Sequence, residues 1–131
     1  MAARQHGTAV TFTATLILAG RFLLGLMFII AGIRNFARFG ERTGFATNYG
    51  FVLPPPLLAL GFAVQLVAGL SVSFGLWPVW GALALIAFIV PATALYHNPL
   101  MFRGEERGPH IYFLTVNLAL IGAFLIVIAL G

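Results

Sequence analysis

Four polar side chains lie within or at the ends of long apolar stretches and could do chemistry there: Arg21, Gln65, His97 and Asn117. A guanidinium does not deprotonate in proteins, so Arg21 keeps its charge even inside a membrane. On translocon scales, an arginine at the middle of a bilayer costs about 2.5–3.5 kcal/mol. We therefore expect polar groups on neighbouring helices to surround Arg21, and Gln65, His97 and Asn117 are the candidates.

The composition indicates an integral membrane protein. Hydrophobic residues make up 61% of the chain and charged residues only 8%, whereas about a quarter of an ordinary soluble domain is charged. The chain has no cysteine, which excludes disulfides, thiolate nucleophiles and iron–sulfur clusters held by thiolates. In a membrane protein the excess of arginine sets topology, so we expect no nucleic-acid partner.

The apolar runs predict an all-α fold, an integral membrane four-helix bundle that forms a single transmembrane domain over residues 1–131. The predicted helices cover residues 9–39, 55–76, 78–97 and 109–130, and two polar loops lie between them at 40–53 and 98–108. A membrane span needs about 20 helical residues, and the first predicted helix is longer than that. The helix could therefore cross the membrane at several positions along its length, so the sequence leaves the depth of Arg21 open. A signal peptide is an alternative interpretation of residues 1–20.

Small residues recur on one face of each of the first two spans. With a period of 3.6 residues, the face of the first span carries Arg21, Gly25, Phe28 and Gly32, and that of the second carries Gly61, Gln65, Gly69 and Ser73. Such spacing is typical of a seam where two membrane helices approach closely. Because a buried amide needs a hydrogen bond, we expect Gln65 to face the interior of the bundle.

The positions of the polar groups along the helices predict two layers. Gln65 and Arg21 form a central layer, and a second layer near the polar loops contains Arg34, Asn35, His97, His110 and Asn117. The second layer suits an amphipathic ligand such as a quinone, because arginine, histidine and asparagine can donate to its carbonyl oxygens. Alternatively, both histidines are boundary residues solvated by lipid headgroups. Their boundary position disfavours a haem held between them, and we expect no metal site.

The arginines also predict an orientation. Five of them lie in or beside the two polar loops, at positions 34, 38, 42, 103 and 107, and only Arg4 lies outside the spans on the side of the termini. The positive-inside rule then places both loops in the cytoplasm and both termini outside.

Four blocks of sequence, in this order and spacing, resemble a known family: RFLLGLMFIIAGIRNF, AVQLVAGLSVSFGLWP, ATALYHNPLMF and VNLALIGAFLI. Together they look like the DoxX family of small four-helix bacterial membrane proteins. The resemblance implies a multi-pass protein of the bacterial inner membrane that is linked to redox physiology. Some relatives are subunits of a thiosulfate:quinone oxidoreductase, and others associate with enzymes of oxidative stress.

The resemblance also assigns individual positions. Arg21 matches the arginine of the first helix, His97 the histidine that ends the third, and Asn117 the asparagine of the fourth. The family usually has a glutamate where this chain has Gln65 and a lysine where it has Asn35. Both departures remove an ionisable group, so the resemblance does not extend to proton-coupled chemistry here.

Three functional hypotheses follow. The first is a subunit of a redox complex that contacts quinone through Arg21, Gln65, His97, Asn117 and Arg34, with no catalytic residue identified. The second is a non-catalytic accessory or anchor subunit, whose partners are the lipid bilayer and either other membrane subunits or further copies of itself. The third is a small transporter, which is disfavoured because no acid lies within a predicted span.

Overall fold

The structure is a computed structural model that describes residues 2–131, with side chains from residue 7 onwards. Its α-helices are α1 (Ala2–Ala37), the one-turn α2 (Phe39–Arg42), α3 (Pro55–Phe74), α4 (Pro78–Tyr96) and α5 (Arg107–Leu130). Within these described residues, four helices are long and apolar enough to cross a membrane. The predicted fold class, an all-α membrane bundle of four helices, is confirmed.

Glycines bring α1 and α3 into close contact. A Cβ atom added at Gly25 would lie 2.5 Å from both the carbonyl oxygen of Gly69 and the backbone nitrogen of Ser73, and one at Gly32 would lie 3.0 Å from a side chain of α3. The Ser73 hydroxyl adds a hydrogen bond of 2.9 Å to the carbonyl oxygen of Phe22. The predicted seam of small residues is therefore confirmed, and it fixes these two helices against each other.

A short turn connects α3 to α4. Proline at Pro55 suits the first turn of α3, where its missing N–H would have no partner. Gly75, which follows the last residue of α3, has a φ of 68°, the left-handed conformation common after helix ends. The backbone nitrogen of Leu76 then donates to the carbonyl oxygen of Ser71 at 2.9 Å. This hydrogen bond stabilises the turn that reverses the chain, so that α4 packs beside α3.

The buried core lies where all four long helices meet. Val72 of α3, Leu85 and Ile89 of α4, and Phe124 of α5 are almost completely buried. The ring of Phe28 on α1 contacts that of Phe124, with centroids 5.4 Å apart. Elsewhere α1 and α5 are separated by an open groove of about 590 Å³, which has walls of mainly aliphatic side chains.

The first polar loop packs on the end of α4. The backbone nitrogen of Asn48 donates to the carbonyl oxygen of Leu95 at 2.6 Å, and the Nδ2 of Asn98 lies 3.4 Å from the hydroxyl of Tyr49. Two short 3-10 turns, Pro99–Met101 and Gly104–Glu106, then lead into α5. We call this end of the bundle the loop side and the opposite end, with the turn from α3 to α4, the turn side.

Arg21 lies level with the turn-side ends of α3 and α5. Its neighbour Phe22 bonds to the last turn of α3, and its own guanidinium reaches the residue after α5. Trp77 and Trp80 are exposed at the same end, as is typical of residues at a membrane–water interface. Residues 7–20 of α1 extend past this level, about 21 Å of helix, and their side chains are almost all exposed.

Candidate functional site

The expectation that Gln65, His97 and Asn117 surround Arg21 is wrong. One terminal nitrogen of the Arg21 guanidinium donates to the carbonyl oxygen of Gly131 at 3.1 Å. The three expected partners are bonded to other side chains. The physical reason is relative height along the bundle: Arg21 is level with the last turn of α3 and the end of α5, whereas its three expected partners lie nearer the loop side. Arg21 is therefore not part of the predicted central layer.

Gln65 instead bonds to α1. The Nδ2 of Asn35 donates to the Oε1 of Gln65 at 2.9 Å, and Gln65 is buried, as predicted from its place in the seam. This bond satisfies an amide that would otherwise be costly in an apolar environment. Asn35 was predicted in the layer near the polar loops and Gln65 in the central layer. Their hydrogen bond shows that these two predicted layers are continuous at this position.

A second amide bond joins α4 to α5. The Nδ2 of Asn117 donates to the Oγ1 of Thr93 at 2.8 Å, and both side chains are partly buried. Thr93 lies one turn before His97, and its carbonyl oxygen accepts the backbone N–H of His97 at 2.8 Å. The contact therefore fixes the part of α4 that carries His97 against α5.

His97 and His110 form a pair at the loop side, which we call the histidine pair. Their Nδ1 atoms lie 3.3 Å apart, and both side chains are partly buried. Two neutral imidazoles can share this contact only if one carries its proton on Nδ1 and the other on Nε2. The pair then presents one Nε2 that donates and one Nε2 that accepts. Within residues 7–131, neither Nε2 has a hydrogen-bond partner.

Aromatic rings lie on the histidine pair. The ring of Phe102 stacks on His110 with centroids 3.6 Å apart and planes 9° apart, and Phe113 stacks on His97 with centroids 4.6 Å apart. These contacts orient both imidazoles. They also surround the polar imidazole nitrogens with apolar, aromatic side chains at the loop-side end of the bundle.

Arg34 is not part of this cluster. It lies in the last turn of α1, its side chain is exposed, and in the described chain it makes no side-chain hydrogen bond. The histidine pair also lacks further metal ligands: over residues 7–131, no three histidine, cysteine, aspartate or glutamate side chains lie close enough to hold a metal ion. The structure thus groups His97 with His110, and Asn117 with Thr93, but brings neither Arg21 nor Arg34 to them.

Two of these partners were missed by sequence reasoning. The four-residue spacing of Thr93 and His97 indicates that they share a face of α4, but it does not indicate that Thr93 lies opposite Asn117. Phe102 lies in a loop, so no helical period indicates its stacking on His110. Only the three-dimensional path of residues 98–106 brings that ring onto the imidazole.

Comparison with known proteins identifies a family. The model of the DoxX family matches residues 16–98, which is more than half of the 131-residue chain. The matched part contains α3 and α4 together with His97, whereas His110 and Asn117 lie beyond it. No curated protein and no solved structure matches the chain.

Proposed function

Since the chain belongs to the DoxX family, we propose that it is a membrane subunit of a redox complex whose histidine pair binds the headgroup of a quinone. The observation that carries this proposal is the Nδ1–Nδ1 contact of 3.3 Å between His97 and His110, with aromatic rings stacked on both imidazoles. Among residues 7–131, it leaves both Nε2 atoms without a hydrogen-bond partner, at the loop-side end of the bundle. The proposed location is the bacterial inner membrane, with the loop side in the cytoplasm.

The chemistry of the histidine pair suits both forms of a quinone. A quinone carbonyl oxygen accepts a hydrogen bond from the protonated Nε2, and a quinol hydroxyl donates to the unprotonated one. Reduction of a quinone to a quinol takes up two electrons and two protons. In this proposal a donor group in a partner subunit supplies the electrons, and the imidazoles hold and orient the oxygen that is protonated.

The amide groups have a positioning role in this proposal. The Nδ2 of Asn117 is bonded to Thr93, and the Oε1 of Gln65 is bonded to Asn35. The first bond holds α4 and α5 at the spacing that brings His97 to His110. Gln65 and Asn35 belong to the other helix pair, α1 and α3, so we assign them to packing rather than to the headgroup.

Binding of a short-chain quinone tests the proposal. We expect the purified protein in lipid nanodiscs to bind decylubiquinone or a menaquinone analogue, and His97→Leu and His110→Leu each to weaken binding about tenfold, as expected for loss of one hydrogen bond. His6→Leu is the matched control, because it removes the remaining histidine of the chain, near the start of α1. Equal binding by all variants, or none by the original protein, contradicts the proposal.

An anchor subunit without a ligand is the second proposal. It is favoured by the two interhelical amide bonds, which are satisfied within the bundle, and by the exposed apolar side chains on every long helix. Purification in mild detergent distinguishes the two proposals. A protein partner that co-purifies without extractable quinone favours the proposal of an anchor subunit. A stable monomer with no partner argues against it.

A further inference from the structure

We infer that the histidine pair binds an exchangeable Zn²⁺ ion through its two Nδ1 atoms, and that this ion makes the site selective for the oxidised form of the quinone. Binding of the ion depends only on the geometry of His97 and His110. Selection between quinone and quinol also depends on the proposed function, because the quinone is the ligand proposed for the same two side chains.

The distance between the two Nδ1 atoms matches one edge of a zinc coordination tetrahedron. Bonds from Zn²⁺ to histidine nitrogens are about 2.0–2.1 Å long and are arranged tetrahedrally, so two such nitrogens on one ion lie about 3.3–3.4 Å apart. The observed distance is 3.3 Å. In the square-planar geometry typical of Cu²⁺ and Ni²⁺, neighbouring nitrogens would lie only about 2.8 Å apart. The spacing therefore favours zinc among the ions that bind imidazole.

The aromatic contacts of the histidine pair leave the metal-binding direction free. Metal ions bind in the plane of an imidazole, whereas Phe102 stacks on the face of His110 with planes 9° apart, and Phe113 stacks on the face of His97 with planes 29° apart. These contacts orient both rings before the ion binds, so little rotamer freedom is lost on binding. The two nitrogens are thus held at the separation that the ion requires.

Zn²⁺ at this site is an exchangeable ligand and not a permanent part of the fold. Over residues 7–131, no third histidine, cysteine, aspartate or glutamate side chain lies close enough to complete a metal centre. Water molecules would occupy the remaining positions, as water occupies the open position of catalytic zinc sites. Both imidazoles are only partly buried, so the ion and its water molecules can reach them from the loop side.

Binding of the ion changes the protons that the histidine pair presents to a quinone. Without the ion, one neutral imidazole carries its proton on Nδ1 and the other on Nε2. Coordination of Zn²⁺ by both Nδ1 atoms requires both protons on Nε2, so one proton moves from Nδ1 to Nε2 of the same ring and none is gained or lost. Both Nε2 atoms are then donors. A quinone carbonyl oxygen still accepts from them, whereas a quinol hydroxyl finds no acceptor.

Zinc binding to the full-length protein, purified without a histidine tag and treated with a chelator, tests the metal site. We expect isothermal titration calorimetry in phosphatidylcholine nanodiscs to show one Zn²⁺ ion bound per histidine pair. His97→Leu and His110→Leu should each weaken binding by more than about tenfold, since loss of even an outer-shell group commonly has that effect. His6→Leu, which removes the remaining histidine, should bind as the original protein does. Mg²⁺, which is bound through oxygen ligands, should not compete.

Imidazole ¹⁵N spectra test the same coordination without a substitution, in case the leucine variants do not fold. Saturation with Zn²⁺ should leave both rings as the tautomer protonated on Nε2, with the chemical shifts of both Nδ1 atoms changed by the ion. Unchanged Nδ1 shifts at saturating Zn²⁺, or zinc binding that both leucine variants retain, would overturn the inference.

Binding of decylubiquinone and of its quinol, each with and without Zn²⁺, tests the selectivity. We expect Zn²⁺ to weaken quinol binding about tenfold, as expected for loss of one hydrogen bond, and to leave quinone binding unchanged. Equal effects on both forms overturn the selectivity. Zinc binding to the pair without binding of either quinone form contradicts the proposed function but leaves the zinc site in place. Quinone binding that depends on the pair, with no zinc binding, overturns the inference and leaves the proposed function in place.

Discussion

The Nδ2 of Asn35 on α1 donates a hydrogen bond of 2.9 Å to the Oε1 of Gln65 on α3. These are the two positions at which the resemblance described above implies a lysine and a glutamate in other members of the DoxX family. Since the two side chains are in contact, we expect the acid and the base implied by the resemblance to be exchanged together for this neutral amide pair. The pair keeps its hydrogen bond between helices but has no proton to exchange.

Exchange of both residues should be tolerated better than exchange of either one. We expect Asn35→Lys alone or Gln65→Glu alone to reduce the free energy of unfolding by about 3–5 kcal/mol, because each leaves a charge without a partner between α1 and α3. The double variant should recover most of this loss, since the ammonium and carboxylate can pair. Unfolding by a denaturing detergent, followed by circular dichroism, measures all four proteins. Additive effects of the two substitutions would contradict the contact.

The seam between α1 and α3 should not tolerate a methyl group at its closest point. Gly25→Ala is expected to destabilise the protein by about 1–3 kcal/mol, because the new Cβ would overlap backbone atoms of α3 that cannot move independently. Gly20→Ala is the control on the same helix: its Cβ meets open space, and alanine favours a helix by about 0.5–1 kcal/mol over glycine. The two variants should therefore change the unfolding midpoint in opposite directions.

The bond between Thr93 and Asn117 should be measurable as a coupling energy. Thr93→Val and Asn117→Leu each remove one partner, and we expect a coupling of about 0.5–1.5 kcal/mol between them, which is the range for hydrogen bonds between membrane helices. Asn117→Leu should also weaken quinone binding, because it loosens the contact that positions His97. Independent effects on stability would show that the two side chains do not act together.

The histidine pair should separate on acidification. When both imidazoles are protonated, each Nδ1 becomes a donor and two positive charges face each other across the 3.3 Å contact. We expect ¹⁵N chemical shifts to report two different neutral tautomers at high pH. They should report two imidazolium rings at low pH, with loss of the nuclear Overhauser effect between the His97 and His110 rings. Identical tautomers at high pH would argue against the Nδ1–Nδ1 contact.

The sequence predicted the features that depend on spacing along one helix. Gly25 and Gly69 were placed on packing faces because a helical period relates them to their neighbours, and the burial of Gln65 followed from its place among small residues. The partner of each polar side chain could not be obtained in this way. That partner depends on the relative height of two helices, and the long apolar run of α1 allows several heights, so Arg21 was assigned partners that lie deeper in the bundle.

The order in which the helices contact one another along the chain has a consequence for how the protein folds in the membrane. The glycine seam joins α1 to α3, a short turn places α4 on α3, and Thr93 and Asn117 join α4 to α5. Each long helix thus meets its main neighbour as soon as that neighbour leaves the translocon. The nascent chain can acquire its native pairings in the order of synthesis, and the Phe28–Phe124 contact is left as the final step, when the last segment enters the bilayer.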